Sequence, residues 1–416
     1  MIRTSSFARA TAWPLALVLL AACDLKVTNP GPVNASFLDD KAALPALVNG
    51  AGRGLAEAIN WIAYTGAADT REIFPAGSTG SFGITPNQQN GKLTDDEVGT
   101  QWNLAQQARW TAEQGALRLK RVLGDATYAK SPLAAEMLVW AGFSNRVLGE
   151  NFCEGVIDGG AKQAYTVYLD RAEARFTDAI AVATAAGNTA FATAALAGRA
   201  QVRLDLGNLA GAAADANGIA NSFAYKMPYF TSDLNQGNRV FWASANVPYR
   251  AHTVWKTFYE NYFRTTNDPR TGWGQDPKFP VGDAAVGNLG RVPWYFQMKY
   301  SSLTSPINLA TGWEMRLLEA EVKLSGGDIP GAMTLMNTHR VALGLAPWVA
   351  TTTADAWTAL KKERGIELWI EARTLGDYRR WAAKGTPGTL TADMTGRDLC
   401  FATPIDEKNT NPNYKP

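Results

Sequence analysis

Three carboxylates spaced four residues apart, Glu363, Glu367 and Glu371, are where this chain could carry chemistry. If Trp357 to Trp381 is one helix, that spacing stacks all three on one face. Two facing carboxylates are what a glycosidase needs, and a carboxylate row is part of what a hard metal ion needs. Like charges four apart on a helix also repel, so such a row persists only where cations or backbone donors meet it. Arg364, Arg373, Asp377, Arg379 and Arg380 crowd the same stretch, while Ile366, Trp369 and Ile370 mark a buried face. These surroundings point to structural ion pairs rather than to a reacting pair.

Other catalytic signals are weak. The chain has 2 His, His252 and His339, far apart and without a metal-binding spacing such as H-E-x-x-H. His339, beside Arg340 on a helix, reads as a packing or surface residue. Ala76-Gly77-Ser78-Thr79-Gly80 lacks the first Gly and the preceding strand of a nucleophile elbow, and no phosphate-cradling Gly motif occurs. The expectation is a protein that is not an enzyme, with no cofactor and no metal. Aromatic residues are the richer resource, because the C–H faces of a sugar stack on Trp and Tyr. Of the 14 Trp, Trp110, Trp140, Trp313, Trp357, Trp369 and Trp381 fall on expected helices and read as core.

The elements that position these residues are mostly helices, expected at roughly 39–65, 101–123, 133–150, 165–186, 190–206, 208–220, 311–325, 329–343 and 354–383. Residues 196–212 align with 316–332, matching Ala200 to Ala320, Val202 to Val322, Leu204 to Leu324, Gly207 to Gly327, Gly211 to Gly331 and Ala212 to Ala332. Each copy reads as helix, Gly stop, Asn or Asp cap and second helix, with Pro330 in a first turn where no N–H is needed. This is tetratricopeptide-like logic with non-adjacent copies. Residues 222–309 differ in kind. They are rich in Gly, Pro and aromatics, among them Phe241, Trp242, Tyr249, Trp255, Tyr259, Tyr262, Trp273, Trp294 and Tyr295.

The pattern ER-x-x-E-L-x-x-E-x-R-x-x-D-x-x-R-W, filled here by Glu363, Arg364, Glu367, Leu368, Glu371, Arg373, Asp377, Arg380 and Trp381, closely resembles the C-terminal signature of the SusD/RagB family. The family usually has Gly before the second Arg, where this chain has Ala372. Asn267-Asp268-Pro269-Arg270, Lys299-Tyr300 and the closing Pro404-Ile405, Glu407 and Asn411-Pro412 also resemble family segments, so the likeness spans almost the whole mature chain. At 416 residues the chain is short for the family, which implies trimmed loops.

The resemblance implies a mainly α fold, a SusD-like α-α superhelix of tetratricopeptide-like repeats with a long irregular loop-rich insert. Its divisions would be a signal peptide at 1–22, an N-terminal helical region at 23–221, the aromatic insert at 222–309, and a C-terminal helical region and tail at 310–416. It implies a surface-exposed lipoprotein of the cell outer membrane that captures an oligosaccharide or another nutrient oligomer. The partner would be a SusC-like TonB-dependent transporter. Family binding sites draw on the loop after the first helix and on the insert, which selects Phe82, Trp102, Trp273 and Trp294 as candidate ligand contacts. For each of the four, packing in the core or an interface is an equally good reading. The alternative function is a tetratricopeptide-type scaffold or assembly lipoprotein of the cell envelope that binds protein segments.

The N-terminus agrees independently. Arg3 and Arg9 form a basic start, Trp13 to Leu20 an apolar run too short to span a bilayer, and Leu20-Ala21-Ala22-Cys23 a lipobox-like site. That arrangement predicts cleavage before Cys23, lipid on its thiol and an anchor rather than a membrane span. The chain has 40 Lys+Arg against 38 Asp+Glu, and removing 1–22, which hold Arg3 and Arg9 and no acid, leaves 38 of each. A balance near zero argues against nucleic acid as a partner. With Cys23 lipidated, Cys153 and Cys400 remain, either as a disulfide or as two buried thiols. An oxidising compartment favours the disulfide. Metabolic labelling with a fatty-acid analogue is expected to mark the wild type and to leave Cys23→Ala unlabelled; equal labelling of both would remove the anchor.

Overall fold

The computed structural model describes residues 35–247, 249–283 and 292–415. Cys23 and the apolar run before it lie outside the described residues. Two short 3-10 turns lead into α1 (Leu44–Asp69). A loop carrying the single turn α2 (Pro86–Gln89) then returns the chain through α3 (Gly99–Leu123), α4 (Asp125–Tyr128) and α5 (Pro132–Asn151). Helices α1, α3 and α5 pack on one another, and α6 (Thr166–Ala185), α7 (Thr189–Leu206) and α8 (Leu209–Ala216) continue the layer as hairpins. The insert holds α9 (Arg239–Ser244) and α10 (Phe258–Thr266). The C-terminal part holds α11 (Gly312–Ser325), α12 (Ile329–Ala342), α13 (Thr353–Glu367), α14 (Thr374–Ala383) and α15 (Ile405–Thr410). No described helix is long and apolar enough to cross a membrane. The architecture is mainly α, as the periodicity and the repeat predict.

Strands are short and serve as clips. β1 (Phe74–Pro75) pairs antiparallel with β5 (His252–Thr253), and β2 (Glu154–Gly155) with β3 (Gln163–Ala164). β4 (Ala224–Met227) pairs with β8 (Ile307–Thr311), and β6 (Trp273–Gln275) with β7 (Tyr295–Gln297). The β4–β8 pair closes the ends of the insert, so a long irregular segment leaves and re-enters the helical frame at one point.

Packing follows from small residues at helix crossings. Phe176 on α6 is fully buried between Gly142 on α5 and Gly198 on α7, and a methyl on either glycine would overlap its ring. Overpacking of that kind typically costs about 1–3 kcal/mol. The repeat has a physical cause as well. Gly207 and Gly327 end α7 and α11 at φ 82° and 80°, a left-handed conformation that glycine adopts without a steric penalty. Asn208 and Asp328 then cap α8 and α12 by accepting from the N–H groups of Gly211 (3.0 Å) and Gly331 (2.9 Å). The cap side chains lie so close that a methyl at 211 or 331 would collide with them. The two copies meet in space, with α11 packed on both α7 and α8.

The expectation of one helix from 354 to 383 is not met. α13 ends at Glu367, and the chain turns through residues 368–373 before α14 begins at Thr374. Within the turn Ile370 and Ala372 take φ of 55° and 63°, so Ala372 occupies a conformation in which a side chain costs roughly 1–2 kcal/mol. The turn is tied down from three sides. Lys299 Nζ donates to the carbonyls of Glu367 (3.2 Å) and Trp369 (2.9 Å), Tyr300 donates to that of Ile370 (3.1 Å), and Glu72 accepts from Ile370 N (2.7 Å). Backbone groups freed by ending a helix inside the protein need such partners.

Every member of the carboxylate row is consumed by this packing. Glu363, fully buried, accepts from Arg270 (2.7 Å), Arg340 (3.0 Å) and Trp348 Nε1 (2.7 Å). Glu367 meets Arg270 at 2.9 Å and His339 Nδ1 at 3.0 Å. Glu371, carried off the helix face by the turn, meets Lys299 at 2.8 Å and Asn308 at 2.7 Å rather than an arginine. Arginines of the same segment reach the frame: Arg364 binds Asp377 and Gln201, Arg373 binds Glu150 and Glu314, and Arg380 binds Asp205, Asp377 and Glu321. Arg379 donates to the carbonyls of Gly149 and Phe152 where α5 ends. Beside it, Cys153 and Cys400 form a disulfide with Cα atoms 5.1 Å apart and a sequence separation of 247. By the chain-entropy model, closing so long a loop is worth about 5 kcal/mol.

Two variants test this network. Glu363→Ala takes from buried Arg340 its carboxylate partner and from Arg270 one of three, and is expected to lower unfolding free energy by about 3–5 kcal/mol in urea titrations; a loss under about 1 kcal/mol would show that the row does not hold the fold. Glu72 titrates in the opposite sense to a paired carboxylate. Burial pushes it up to about 7 despite donors from Ile370 N–H and Thr70. Its neutral form therefore stabilises the native state in full below about pH 4.5, and that contribution is lost as pH rises through 7. Glu72→Gln cannot titrate, so relative to it the wild type should lose about 3 kcal/mol between roughly pH 4 and pH 8. Parallel pH profiles for the two proteins would contradict this.

Candidate functional site

The loop after α1 and the insert are stitched together on one side of the frame. Ala76 N and Gly77 N both donate to Ala251 O, Ser78 donates to Asp283 at 2.9 Å, and β1 pairs with β5. His252 lies beneath. Burial, helped by Arg71, pushes it down to about 3, so it is neutral at physiological pH. Its Nδ1 meets the Tyr64 hydroxyl at 2.9 Å and its Nε2 meets Gln89 Nε2 at 2.9 Å. The ring being neutral, one of its nitrogens donates and the other accepts across these two contacts. One neutral imidazole thus links α1, α2 and β5.

Above this floor stands a group of rings around a guanidinium. Asn60 on α1 accepts from Arg239 N at 2.7 Å and donates to Gly237 O at 2.7 Å, which places the start of α9 against α1. Arg239 then lies 3.6 Å from the ring centre of Trp61 and donates to Phe82 O at 2.9 Å. Phe82 meets Trp242 edge-on at 5.2 Å and Tyr249 at 5.4 Å, and those two rings meet each other at 5.8 Å. Trp61 and Trp242 are half-buried, whereas Tyr249 is 41% exposed. Arg239 Nε finds no acceptor among the described residues. Burial lowers the guanidinium's pKa from its ordinary value, with Tyr64 and Glu57 opposing. The group offers apolar faces at fixed angles and a hydrogen-bond donor among them. That combination suits a ring whose faces are C–H and whose rim is hydroxyl.

The four aromatics selected from the sequence are not brought together. Phe82 belongs to the cluster, but at 4% exposure it supports the outer rings from behind. Trp102 on α3 is 1% exposed and packs edge-on against Phe152 at 5.2 Å, in the core. Trp294 is fully buried, with Nε1 donating to His252 O at 3.1 Å. Neither Trp102 nor Trp294 presents a face to solvent: the first turn of α3 packs Trp102 into the core, and the insert turns Trp294 inward. Trp273 is half-buried on β6, stacked on Tyr295 at 4.4 Å, and donates to Glu260 O. Trp110, read as core, is 52% exposed on α3. His339 is a packing residue, stacked on Trp313 at 4.0 Å. Sequence reasoning missed Trp61 and Arg239. The available hint was Asn60, a polar residue in an otherwise apolar stripe of α1.

No group of three or more His, Cys, Asp or Glu that could hold a metal ion occurs among the described residues. No family model matches the chain and no curated protein matches it. Solved structures do. A SusD superfamily protein from Bacteroides vulgatus matches at a TM-score of 0.62 and 13% identity, over 91% of this chain and 98% of its own. A SusD/RagB family protein from Bacteroides thetaiotaomicron gives 0.65 at 12% identity, over 89% and 94%. A SusD-like carbohydrate binding protein from Bacteroides vulgatus gives 0.59 at 14% identity, over 82% and 83%. Likeness at this identity concerns the course of the backbone, and on that ground the chain has the SusD-like fold, helix hairpins carrying a loop-rich insert.

Proposed function

We propose that this chain is a SusD/RagB-type lipoprotein that binds carbohydrate at the outer membrane and hands it to a TonB-dependent transporter. The observation that carries this reading is the Trp61–Arg239–Phe82–Trp242–Tyr249 cluster, formed where the loop after α1 meets the insert. Support also comes from the SusD-like fold over about nine-tenths of the chain. The lipobox-like Leu20 to Cys23 supplies the anchor in this reading. Trp242 and Tyr249 are the proposed stacking faces, Arg239 the proposed donor to hydroxyls, and Phe82 the support that fixes their angles. Trp273, on the separate β6–β7 hairpin, is the one other residue of the sequence-derived set with ring surface to offer.

Binding of this kind needs no chemistry from the protein. The rings are held before the ligand arrives, so little side-chain entropy is lost on contact. Affinity should stay modest, because a captured ligand must be released to the transporter.

The test is titration calorimetry against a panel of neutral oligosaccharides, together with pull-down of the lipid-anchored protein in mild detergent. At least one oligosaccharide should bind, and the paired change Trp242→Ala with Tyr249→Ala should weaken it by about tenfold or more, with thermal stability little altered. A TonB-dependent barrel should co-purify. Recovery of the protein alone, with uptake of every candidate nutrient unchanged in the double variant, would replace this reading with the envelope-scaffold one.

A further inference from the structure

Trp110 is out of place for a tryptophan on a packed helix. It is 52% exposed in the middle of α3, and Leu117, about two turns further on, is 59% exposed on the same face. Among the described α-helices only α3 leaves two large apolar side chains uncovered. Asn103, Gln107 and Gln114 are also exposed along that stripe, so its centre carries amides and apolar groups but no charge. A third apolar side chain joins from outside the helix. Asp39, at the end of the first 3-10 turn (Ala35–Asp39), pairs with Arg121 at 2.5 Å and with Arg118 at 3.5 Å, and Leu38 lies in the groove beside Gln107 and Thr111. Phe37, 64% exposed, therefore stands at the edge of the same face.

Apolar residues exposed one at a time need no explanation, but three on one face mark a contact. The occupant follows from where the chain enters. Cys23, the residue that carries the lipid in the proposed function, precedes Ala35 by 12 residues, and a chain of that length reaches at most about 40 Å. A bilayer is then held close to this face at high effective concentration, whatever other protein is present. The chemistry agrees. Tryptophan favours the boundary between headgroups and acyl chains, where amides also find partners. The cations at the rim are already met by acids, Arg121 by Asp39 and Lys120 by Asp125 at 3.5 Å. A face with no charge at its centre and balanced charge at its rim has no need of an anionic lipid.

We propose that Trp110, Leu117 and Phe37 form a second membrane contact, which seats the exposed face of α3 in the headgroup region of a zwitterionic phospholipid surface and fixes how the tethered body is turned. The proposal rests on the lipid anchor of the proposed function and adds orientation to it, because a tether retains a protein without setting which face meets the membrane. It uses no residue of the Trp61–Trp242 cluster, so carbohydrate binding there can fail or hold without it.

The test places a fluorescent dye on the lipid-anchored full chain through Gln114→Cys, between Trp110 and Leu117, or through Thr334→Cys, an exposed control on α12. With Cys23 acylated and Cys153 bonded to Cys400, the new thiol is the one that reacts. The protein is reconstituted in phosphatidylcholine vesicles, part of the lipid carrying a nitroxide just below the headgroup. Because an interfacial apolar face sits within the headgroup and acyl boundary, the dye at 114 should be quenched about threefold more than the dye at 334. Trp110→Gln with Leu117→Gln, both changes at exposed side chains, should bring position 114 down to the control while thermal stability and vesicle retention stay the same. Raising salt from about 0.1 M to about 1 M should change nothing, since the contact is not electrostatic. Equal quenching at 114 and 334, or quenching that survives the double variant or disappears at high salt, overturns the contact. So does a position 114 open to aqueous iodide on pure lipid and shielded from it in native membranes, which would make this face a docking surface for an envelope protein. Protein that washes off the vesicles altogether refutes the anchor, and the contact with it, whereas retained protein without the 114 signal refutes the contact alone.

Discussion

Charge taken out of water has to be met, and this fold is arranged around meeting it. Arg146, Arg364, Arg373 and Arg380 lie almost wholly inside the protein, facing Glu150, Glu314, Glu321, Asp205 and Asp377. These groups come from α5, α7, α11 and the α13–α14 segment, so the network spans elements more than two hundred residues apart. Well-packed apolar residues could give as much stability. What ion pairs add is position, because a guanidinium facing two carboxylates tolerates little displacement. Asp377 shows the balance: burial works against its charge, while Arg364 and Arg380 hold its carboxyl below the usual range.

The turn at 368–373 follows from the same constraint. A continuous helix would have kept Glu371 on the face of Glu363 and Glu367, crowding three charges along one line. Breaking the helix sends Glu371 to Lys299 and Asn308, and Lys299 also takes the carbonyls that the break sets free. Ala372 holds a left-handed conformation in this turn, where the resembled family usually has glycine. The local strain is set against one buried carboxylate and two freed carbonyls, all met by one lysine. Glu72 and Tyr300 complete the arrangement, and through Glu72 the turn touches the end of α1 and hence the first loop.

The frame was legible in the sequence, and the site much less so. Periodicity places most helices to within a few residues, and the Gly-Asn and Gly-Asp steps of the repeat name both stops and caps, because those depend on local chemistry alone. The break after Glu367 was not legible. It depends on Lys299 and Glu72, which are distant in sequence, while the local pattern of apolar residues continues as if helical. The same holds for the aromatics. Whether a tryptophan near a loop faces in or out is decided by what its segment meets, and Trp102 and Trp294 meet the core whereas Trp242 meets Phe82 and Arg239. Trp61 was hidden for the opposite reason, since a tryptophan on a long apolar helix reads as core by default.

Stitching between loop and insert explains how irregular segments can hold a defined binding surface. Loops ordinarily move because few buried groups fix them. Here Asn60 fixes the start of α9 with two bonds at 2.7 Å, and His252 bridges Tyr64 and Gln89 from a fully buried position. Both are polar side chains in a mostly apolar environment, where a satisfied bond is strong and a broken one is expensive. The clamps stand on α1, and α1 is packed against α3 and α5. Rigidity therefore passes from the buried ion network through α5 and α1 to Asn60 and Arg239, and from Arg239 to the ring of Trp61. A ring fixed this way has little freedom left to lose when something stacks beside it.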